Sequence, residues 1–332
     1  MPDNLSQTEL LDPYGRRIDY VRLSVTDRCD LRCQYCMPEG FKDFEEPADW
    51  LTFDEIERVI RAFTELGTHR IRVTGGEPLV RKDINKLLAK LSELPGLDDL
   101  SLSTNATRLN KQAQLLKDAG VARINVSLDT LRADRFKEIT HGKLGKVIDG
   151  LMAAKQAGFH PIKVNMVVMK GINDDEVEDM VNFCLEHDFT LRFIETMPVG
   201  DTGRSASDHF ISLDEIKQRL EQRFDLVPGI VAGGGPARYM RVKDTELRIG
   251  FITPMSQHFC ETCNRVRLSV DGTLYLCLGQ EDKYELRPLL RQGISDEELK
   301  QHIHKALALK PEKHEFSEKP EKVVRFMSMT GG

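Results

Sequence analysis

The sequence predicts an α/β fold, an incomplete (βα)6 TIM-like barrel followed by an α+β extension. Three observations support this prediction. Six strand-like segments alternate with amphipathic helical segments up to about Glu195, which indicates parallel strands joined by helical crossovers. The strands alternate polar with apolar residues, whereas strands covered by helices on both faces are almost continuously apolar. After about Thr196, short strands replace the alternation of strands and helices.

The barrel elements follow in chain order from hydrophobic periodicity and from turn residues. The predicted strands are Asp19–Thr26, Arg70–Thr74, Asp99–Asn105, Arg123–Asp129, Ile162–Lys170 and Thr190–Glu195. The amphipathic helices predicted between them are Phe53–Leu66, Ile84–Leu94, Lys111–Ala119, Lys146–Ala157 and Glu176–His187. Asn110 is predicted as a helix N-cap, and Gly120 and Gly158 are predicted to follow the last turns of two helices.

The extension is predicted to begin with a helix, Leu213–Arg223, and to end with a helix over about Asp296–Ala308. Between these helices, short strands are expected near Arg238–Val242, Leu247–Ile252 and Arg267–Cys277, the last containing a hairpin turn at Asp271–Gly272. The segment Lys310–Lys322 carries eight charged residues in thirteen, which predicts a solvated linker or mobile tail. We therefore divide the chain into an N-terminal segment (1–15), the barrel (16–200), the extension (201–309) and a mobile tail ending in Gly331–Gly332 (310–332).

One face of all six barrel strands is polar, and this face carries several cations. Its members include Arg22, Arg72, Ser103, Lys163 and Arg192. Burying such a face in a packed core costs free energy, whereas a wide, wet lumen that holds a polar anion removes that cost. The sequence therefore predicts an internal anion site. A sheet with one exposed face is the alternative, although parallel sheets rarely leave a face bare.

The balance of charge excludes some classes of protein. The chain of 332 residues has 47 Lys and Arg against 53 Asp and Glu, a net charge of −6, which argues against a nucleic-acid or polybasic membrane-binding protein. The first ten residues show no apolar signal-peptide core, and no stretch is apolar enough to span a bilayer. We therefore expect a cytoplasmic protein, in which closely spaced cysteines are more often metal ligands than disulfides.

Six of the seven cysteines form two tight triplets, and the seventh, Cys184, is predicted to be a buried thiol in a helix. The first triplet, Cys29, Cys33 and Cys36, directly follows the first strand and encloses Tyr35. Three thiolates leave a tetrahedral zinc ion one ligand short. Three cysteines on a cubane iron–sulfur cluster would instead leave one iron free for a further ligand.

The second triplet consists of Cys260, Cys263 and Cys277, and two alternatives stay open for it. A zinc site would need a fourth ligand, for which His258 is the nearest candidate. A second cubane cluster with one open iron is favoured by Arg265 and Arg267, because two guanidiniums beside a metal centre suit an anionic ligand. For either arginine alone, a salt-bridged surface strand would be the simpler interpretation.

A glycine-rich turn, Gly75–Gly76–Glu77–Pro78, follows the second strand. Its glycines permit close approach of the backbone to a ligand, and Glu77 adds a hydrogen-bond acceptor. Taken alone, this motif would be an ordinary turn between a strand and a helix. No GxxxxGK[ST] loop is present, so a nucleotide would not be held as in P-loop hydrolases.

Together, these motifs resemble the radical S-adenosylmethionine (SAM) superfamily, and within it the family of lyases that cyclise GTP at the start of molybdenum cofactor biosynthesis. The resemblance covers residues 16–332. It rests on Val25–Thr26–Asp27–Arg28–Cys29 with Cys33 and Cys36, on the glycine-rich turn, on Cys260 and Cys263–Asn264–Arg265–Val266–Arg267 with Cys277, and on Gly331–Gly332.

The resemblance implies two 4Fe-4S clusters, SAM and GTP. The first cluster, on the first triplet, would bind SAM and cleave it to the 5′-deoxyadenosyl radical, which removes the C3′ hydrogen of GTP. The second cluster, on the second triplet, would anchor the guanine. The product, (8S)-3′,8-cyclo-7,8-dihydroguanosine 5′-triphosphate, would pass to cyclic pyranopterin monophosphate synthase. An electron donor of unknown identity and a homodimer are also implied, with no nucleic-acid or membrane partner.

The resemblance also assigns roles to individual residues. The SAM contacts are expected to be Tyr35, Gly76, Glu77, Ser127 and Met197. The GTP contacts are expected to be Arg22, Arg72, Ser103, Lys163, Arg265, Val266 and Arg267, to which the polar face adds Arg192. Catalytic assistance is expected from Arg265, Arg267, Gly331 and Gly332. The alternatives are another radical SAM enzyme with an auxiliary cluster, such as a peptide-modifying enzyme, and a non-enzymatic metal protein.

Overall fold

The barrel is formed by six parallel strands, in a computed structural model that describes residues 9–231 and 234–331. The strands pair in chain order and are β1 (Tyr20–Ser24), β2 (Arg70–Thr74), β3 (Asp99–Thr104), β4 (Arg123–Ser127), β5 (Ile162–Val168) and β6 (Thr190–Glu195). The helices between them are α1 (Phe53–Glu65), α2 (Ile84–Ser92), α3 (Leu109–Asp118), α4 (Ala133–Thr140), α5 (Leu144–Gln156) and α6 (Val177–His187). The predicted α/β class and partial barrel are confirmed.

The ends of the helices test the predicted caps. Gly120 and Gly158 follow the last turns of α3 and α5 with positive φ, as predicted. The prediction for Asn110 is wrong, because α3 begins one residue earlier, at Leu109. Burial decides this boundary, since the Leu109 side chain is fully enclosed in the core and its N–H donates to the carbonyl of Ala106. The short helix α4 was not predicted.

The extension continues the barrel sheet at both of its edges. After helices α7 (Gly200–Ala206) and α8 (Leu213–Glu221), its strands are β7 (Leu226–Gly229), β8 (Arg238–Val242), β9 (Arg248–Ile252), β10 (Arg265–Leu268), β11 (Thr273–Tyr275) and β12 (Lys283–Glu285). β10 pairs in parallel with β1, and β9 pairs in parallel with β6, giving one twelve-stranded sheet. The predicted turn at Asp271–Gly272 joins β10 to β11. The division at residue 200 stays a prediction.

The strands separate an apolar face from a polar one. Val21 and Leu23 of β1, with Ile71 and Val73 of β2, are fully buried in the main core under the helices. The opposite face carries the cations of the predicted lumen. Within the described ranges, no helix is both long enough and apolar enough to cross a membrane.

The chain ends with helices α9 (Arg287–Arg291), α10 (Asp296–Leu307) and α11 (Met327–Thr330). The segment between α10 and α11 packs apolar side chains against the protein, while most of its charged side chains are exposed, and its mobility stays a prediction. Phe316, Val323 and Met327 form a small apolar cluster with Val199. The charges of the segment pair with one another on the outside, as in the 2.8 Å contact of Lys313 with Glu318. Composition alone could not reveal this segregation.

Candidate functional site

Three adjoining cavities form one lumen on the polar face of the barrel strands. The first-triplet cavity, of about 1040 Å³, is lined by Cys29, Cys33 and Cys36. The second-triplet cavity, of about 1000 Å³, is lined by Cys260, Cys263 and Cys277. The lower cavity, of about 400 Å³, is lined by charged side chains such as Lys163 and Asp99.

Shared walls connect these cavities. The first-triplet and second-triplet cavities are both lined by Ser103, Asn165, Ile194 and Met197. The second-triplet and lower cavities are both lined by Arg72, Arg192 and Gly235. A ligand that reached from one cysteine triplet to the lower cavity would therefore pass the polar ends of the central strands.

The first triplet lies in a loop between β1 and α1, and its three thiols are free. Burial raises the pKa of the Cys29 and Cys36 thiols to about 12, so a bound cation is needed to hold them as thiolates. Two of the three thiol sulfurs accept hydrogen bonds from the protein. Cys29 Sγ accepts from the N–H of Leu31 at 3.4 Å and from Asn105 Nδ2 at 3.6 Å, and Cys36 accepts from the N–H of Ser328. Such donors are typical around iron–sulfur ligands.

The glycine-rich turn packs directly on the loop of the first triplet. The N–H of Gly76 donates to the carbonyl of Thr26, and the N–H of Glu77 donates to that of Arg28, both at 2.8 Å. A Cβ at Gly76 would lie 2.4 Å from the Arg28 carbonyl oxygen. The turn therefore needs a glycine there to hold the cysteine loop at the cavity wall.

Glu77 stabilises the glycine-rich turn through the hydrogen bonds of its carboxylate, and it does not line the first-triplet cavity. Its carboxylate is fully buried and accepts from the N–H of Leu79, the Thr104 hydroxyl and the N–H of Asn105. Burial raises the pKa of Glu77 to about 7, despite these hydrogen bonds. The expectation of a direct SAM contact through this carboxylate is thus not supported, because its oxygens are used to join β2 to the end of β3.

The other expected SAM residues, Tyr35, Gly76, Ser127 and Met197, all line the first-triplet cavity. Asp129 also lines it and was missed. The Tyr35 hydroxyl donates to Asp129 Oδ2 at 2.7 Å, while Oδ1 accepts from the N–H of Val167 at 2.9 Å. Burial raises the pKa of Asp129 to about 6. Its position at the end of a predicted strand was the signal available in the sequence.

The second triplet differs from the first in its electrostatics. Burial alone would raise the pKa of Cys263. The positive charges of Lys310 and Arg265 have the opposite effect and outweigh burial, so the net result is a lowered pKa. His258, the candidate fourth zinc ligand, instead contacts His314, with Nδ1 and Nε2 3.3 Å apart. Among residues 9–231 and 234–331, no three His, Cys, Asp or Glu side chains are arranged to hold a single metal ion.

The cations of the polar face are buried, and several have unused donors. Within the described chain, the Nε atoms of Arg22, Arg265 and Arg267 have no hydrogen-bond acceptor. Burial lowers the pKa of Arg267 to about 10 and that of Lys163 to about 7, the latter with help from Arg192. Buried donors without acceptors indicate an anionic ligand between these side chains.

The side chain of one expected GTP contact points away from the lumen. Val266 is fully buried in the main core, on the face of β10 opposite Arg265 and Arg267, because successive strand residues point to opposite sides. Gly331, expected to assist catalysis, lies against Thr74, which is at the carboxyl end of β2 and lines the first-triplet cavity. Gly332 is outside the described residues.

Comparisons with known proteins match two successive parts of the chain to two family models. Residues 23–184 match the model of the radical SAM superfamily, and residues 189–316 match that of the Molybdenum Cofactor Synthesis C family. The chain is 49% identical to a GTP 3′,8-cyclase of Hydrogenovibrio crunogenus, over 93% of this chain and 95% of that protein. It is also 49% identical to one of Ectopseudomonas mendocina, over 98% and 99%.

Among solved structures, the fold is similar to that of Streptococcus suis SuiB bound to its precursor peptide SuiA. The TM-score is 0.59 at 17% sequence identity, over 80% of this chain and 61% of that longer chain. SuiB bound to S-adenosylmethionine gives a TM-score of 0.57 at 16% identity, over 90% of this chain and 71% of that chain. At this level of identity the similarity shows the fold alone.

Proposed function

Because the chain belongs to the GTP 3′,8-cyclase family of radical SAM enzymes, we propose that it converts GTP into (8S)-3′,8-cyclo-7,8-dihydroguanosine 5′-triphosphate, the first step of molybdenum cofactor biosynthesis. One observation carries this proposal. Buried cations with unused donors lie in a single lumen between two free cysteine triplets, which suits a small polyanion whose base would meet one metal centre and whose ribose would face the other.

The enzyme uses two 4Fe-4S clusters and SAM. Cys29, Cys33 and Cys36 would hold the first cluster, and Cys260, Cys263 and Cys277 would hold the second. When bound, these groups supply the electron and the 5′-deoxyadenosyl radical that removes the C3′ hydrogen of GTP. Tyr35, Gly76, Ser127 and Met197 line the cavity in which SAM would lie, and Met327 of the tail closes part of it.

The order of the cavities supports one orientation for GTP, which is part of this proposal. Arg265 and Arg267 lie beside the second triplet, where the guanine would be held, and Arg22 lies on the adjacent strand β1. The triphosphate would extend into the lower cavity, toward Lys163. The ribose would then lie where the second-triplet cavity meets the lower one, with its C3′ hydrogen toward the wall that the two larger cavities share, near Ser103. A C3′ hydrogen at that wall would face the SAM side of the lumen.

Arg192 and Arg72 are placed to hold the middle of the ligand, because both line the second-triplet and lower cavities. Arg192 is oriented by Asn165, which accepts from its Nε at 2.8 Å, and by Asn125. We also propose the finer points that rest on the family resemblance: a cytoplasmic homodimer, an unidentified electron donor, and transfer of the product to cyclic pyranopterin monophosphate synthase.

The test is anaerobic turnover of the purified protein with GTP, SAM and a reductant. We expect 5′-deoxyadenosine and the cyclised nucleotide in equal amounts, and about eight irons and eight sulfides per chain. Zinc without iron, or 5′-deoxyadenosine formed only with a peptide substrate, would contradict the proposal.

A further inference from the structure

Lys310 is a buried lysine immediately behind the second triplet. It follows α10, the residue is 3% exposed, and it lines none of the three cavities. Its ammonium donates to three acceptors: the Leu276 carbonyl at 2.5 Å, the Arg265 carbonyl at 3.1 Å and Cys263 Sγ at 3.7 Å. The cation therefore points at a cysteine ligand and away from the substrate space.

The partners of this ammonium leave its charge uncompensated within the protein. Two of them are neutral carbonyls, and in the part of the chain that the structure describes, no Asp or Glu forms an ion pair with it. The two other buried cations that bind the backbone around this triplet differ in this respect. Arg16 pairs with Asp12 at 2.5 Å, and Arg325 pairs with Glu281 at 2.7 Å. A buried charge without a counter-charge is strongly unfavourable.

The remaining candidate for the counter-charge is the second triplet itself. Three thiolates on an iron–sulfur cluster carry net negative charge, and that charge grows by one when the cluster is reduced. We propose that Lys310 is the charge partner of the second cluster and a positioning residue that raises its reduction potential through Cys263. This inference rests on the proposed function, since it requires that the second triplet hold a cluster.

The physical reason fixes the direction of the effect. A positive charge near a ligand sulfur stabilises the more negative, reduced cluster, and burial strengthens the interaction because little water screens it. Loss of the charge should therefore shift the midpoint potential to more negative values. A residue that only held the two carbonyls in place would leave the potential unchanged when a neutral donor replaced the ammonium.

The experiment is a redox titration of the full-length enzyme with both clusters, followed by electron paramagnetic resonance. The signal that GTP perturbs reports the second cluster. The variants are Lys310→Gln, which keeps N–H donors and removes the charge, and Lys310→Arg, which keeps the charge. Lys313→Gln is the matched control, because Lys313 lies in the same segment, is solvent-exposed and pairs only with Glu318 among the residues described.

We expect Lys310→Gln to shift the midpoint of the GTP-sensitive signal to more negative values, with Lys310→Arg and Lys313→Gln close to the parent. Loss of four irons in Lys310→Gln but not in Lys310→Arg would also support a requirement for charge. An unchanged midpoint in Lys310→Gln, or equal loss of iron in both Lys310 variants, would overturn the inference. If GTP perturbs no signal in the parent enzyme, the proposed function itself fails.

Discussion

The side chains that define the lumen are cations that the fold buries beside one another. Burial lowers the pKa of Arg22, Arg192, Arg265 and Arg267. Such an arrangement is unfavourable in the free protein, because each guanidinium loses water and repels its neighbours. A bound polyanion reverses both effects, so ligand binding is coupled to the relief of this repulsion.

Arg265→Ala and Arg267→Ala test the arginines beside the second triplet. We expect each to lower kcat/KM for GTP by at least about a hundredfold, or about 2.7 kcal/mol, because a buried charge-assisted contact is lost. Iron content should stay at the parent value. Arg248→Ala is the control, since Arg248 lies on β9 and pairs with Glu246 near the surface. Loss of iron together with activity would indicate a structural role instead.

Lys163 should make GTP binding depend on pH. Burial, and then the charge of Arg192, lower the pKa of Lys163 to about 7. Below that pH the ammonium is present and attracts the triphosphate. Above it, the free enzyme must take up a proton to bind, so affinity should fall as pH rises from about 7 to about 9. Calorimetric GTP titrations of the parent and Lys163→Arg would measure this. An equally steep pH dependence in Lys163→Arg would rule out Lys163 as its source.

Among the elements, the glycine-rich turn and the first cysteine loop form one unit. Two backbone hydrogen bonds join them, and the Gly75 and Gly76 positions leave no space for a Cβ against the backbone of Thr26 and Arg28. The motif therefore acts through backbone geometry, and SAM would meet a surface shaped by both segments.

Gly76→Ala should damage this unit. The added methyl group would lie 2.4 Å from a backbone oxygen, so we expect a loss of about 1–3 kcal/mol in stability and weaker SAM binding. Thermal unfolding and equilibrium SAM binding measure the two effects. Gly145→Ala is the matched control, because a Cβ there meets nothing within 4 Å. Similar behaviour of the two variants would show that the close approach is unimportant.

The C-terminal segment, residues 310–331, contacts both cysteine triplets. Ser328 donates its N–H to Cys36, Lys310 contacts Cys263, and Arg325 donates to the carbonyl of Cys277. Gly331, with φ of +71°, brings the end of the chain against Thr74.

Gly331→Ala should reduce cyclisation without loss of iron. Positive φ is strained for alanine, and its Cβ would lie 2.2 Å from Thr74 Cγ2, so the end of the segment must move. Product formation at saturating GTP and SAM is the measurement. Gly293→Ala, also at positive φ but with nothing within 4 Å of its Cβ, is the control. Parent-like turnover in Gly331→Ala would show that the position of this glycine has no catalytic consequence.

For the whole molecule, the distribution of charge matters more than its sum. The net charge of −6 gives no indication of an anionic substrate, yet the polar face of one sheet collects the cations of several strands. Helices cover the other face, and the extension strands β9 and β10 lengthen the sheet at both edges. The result is a positive lumen inside an acidic protein.

GTP affinity should therefore fall as salt rises. Raising ionic strength from about 0.05 M to about 0.5 M shortens the screening length, so the Kd for GTP should increase severalfold. Guanosine, which shares the base and ribose but lacks the triphosphate, is the comparison ligand. If guanosine binding responds to salt as strongly as GTP binding, the dependence does not come from phosphate contacts.

The sequence by itself determined the order of the strands in the barrel, the two cysteine triplets, the glycine-rich turn and the face that carries Arg22, Arg72 and Lys163. These are local signals, since periodicity, spacing and turn residues are read within a few positions. It also indicated the anion, because a polar face on buried strands requires a polar ligand or water.

Only the tertiary structure decided which matched positions point into the lumen. The Val266 side chain points into the core because successive strand residues face opposite sides. The Glu77 carboxylate accepts a hydrogen bond from Thr104 of β3. Asp129 lines the first-triplet cavity and accepts a hydrogen bond from Tyr35. It likewise brought Lys310 to Cys263, although 47 positions separate them in the chain. Such contacts depend on the packing of distant segments, which no local pattern specifies, and they govern how the two metal centres are held.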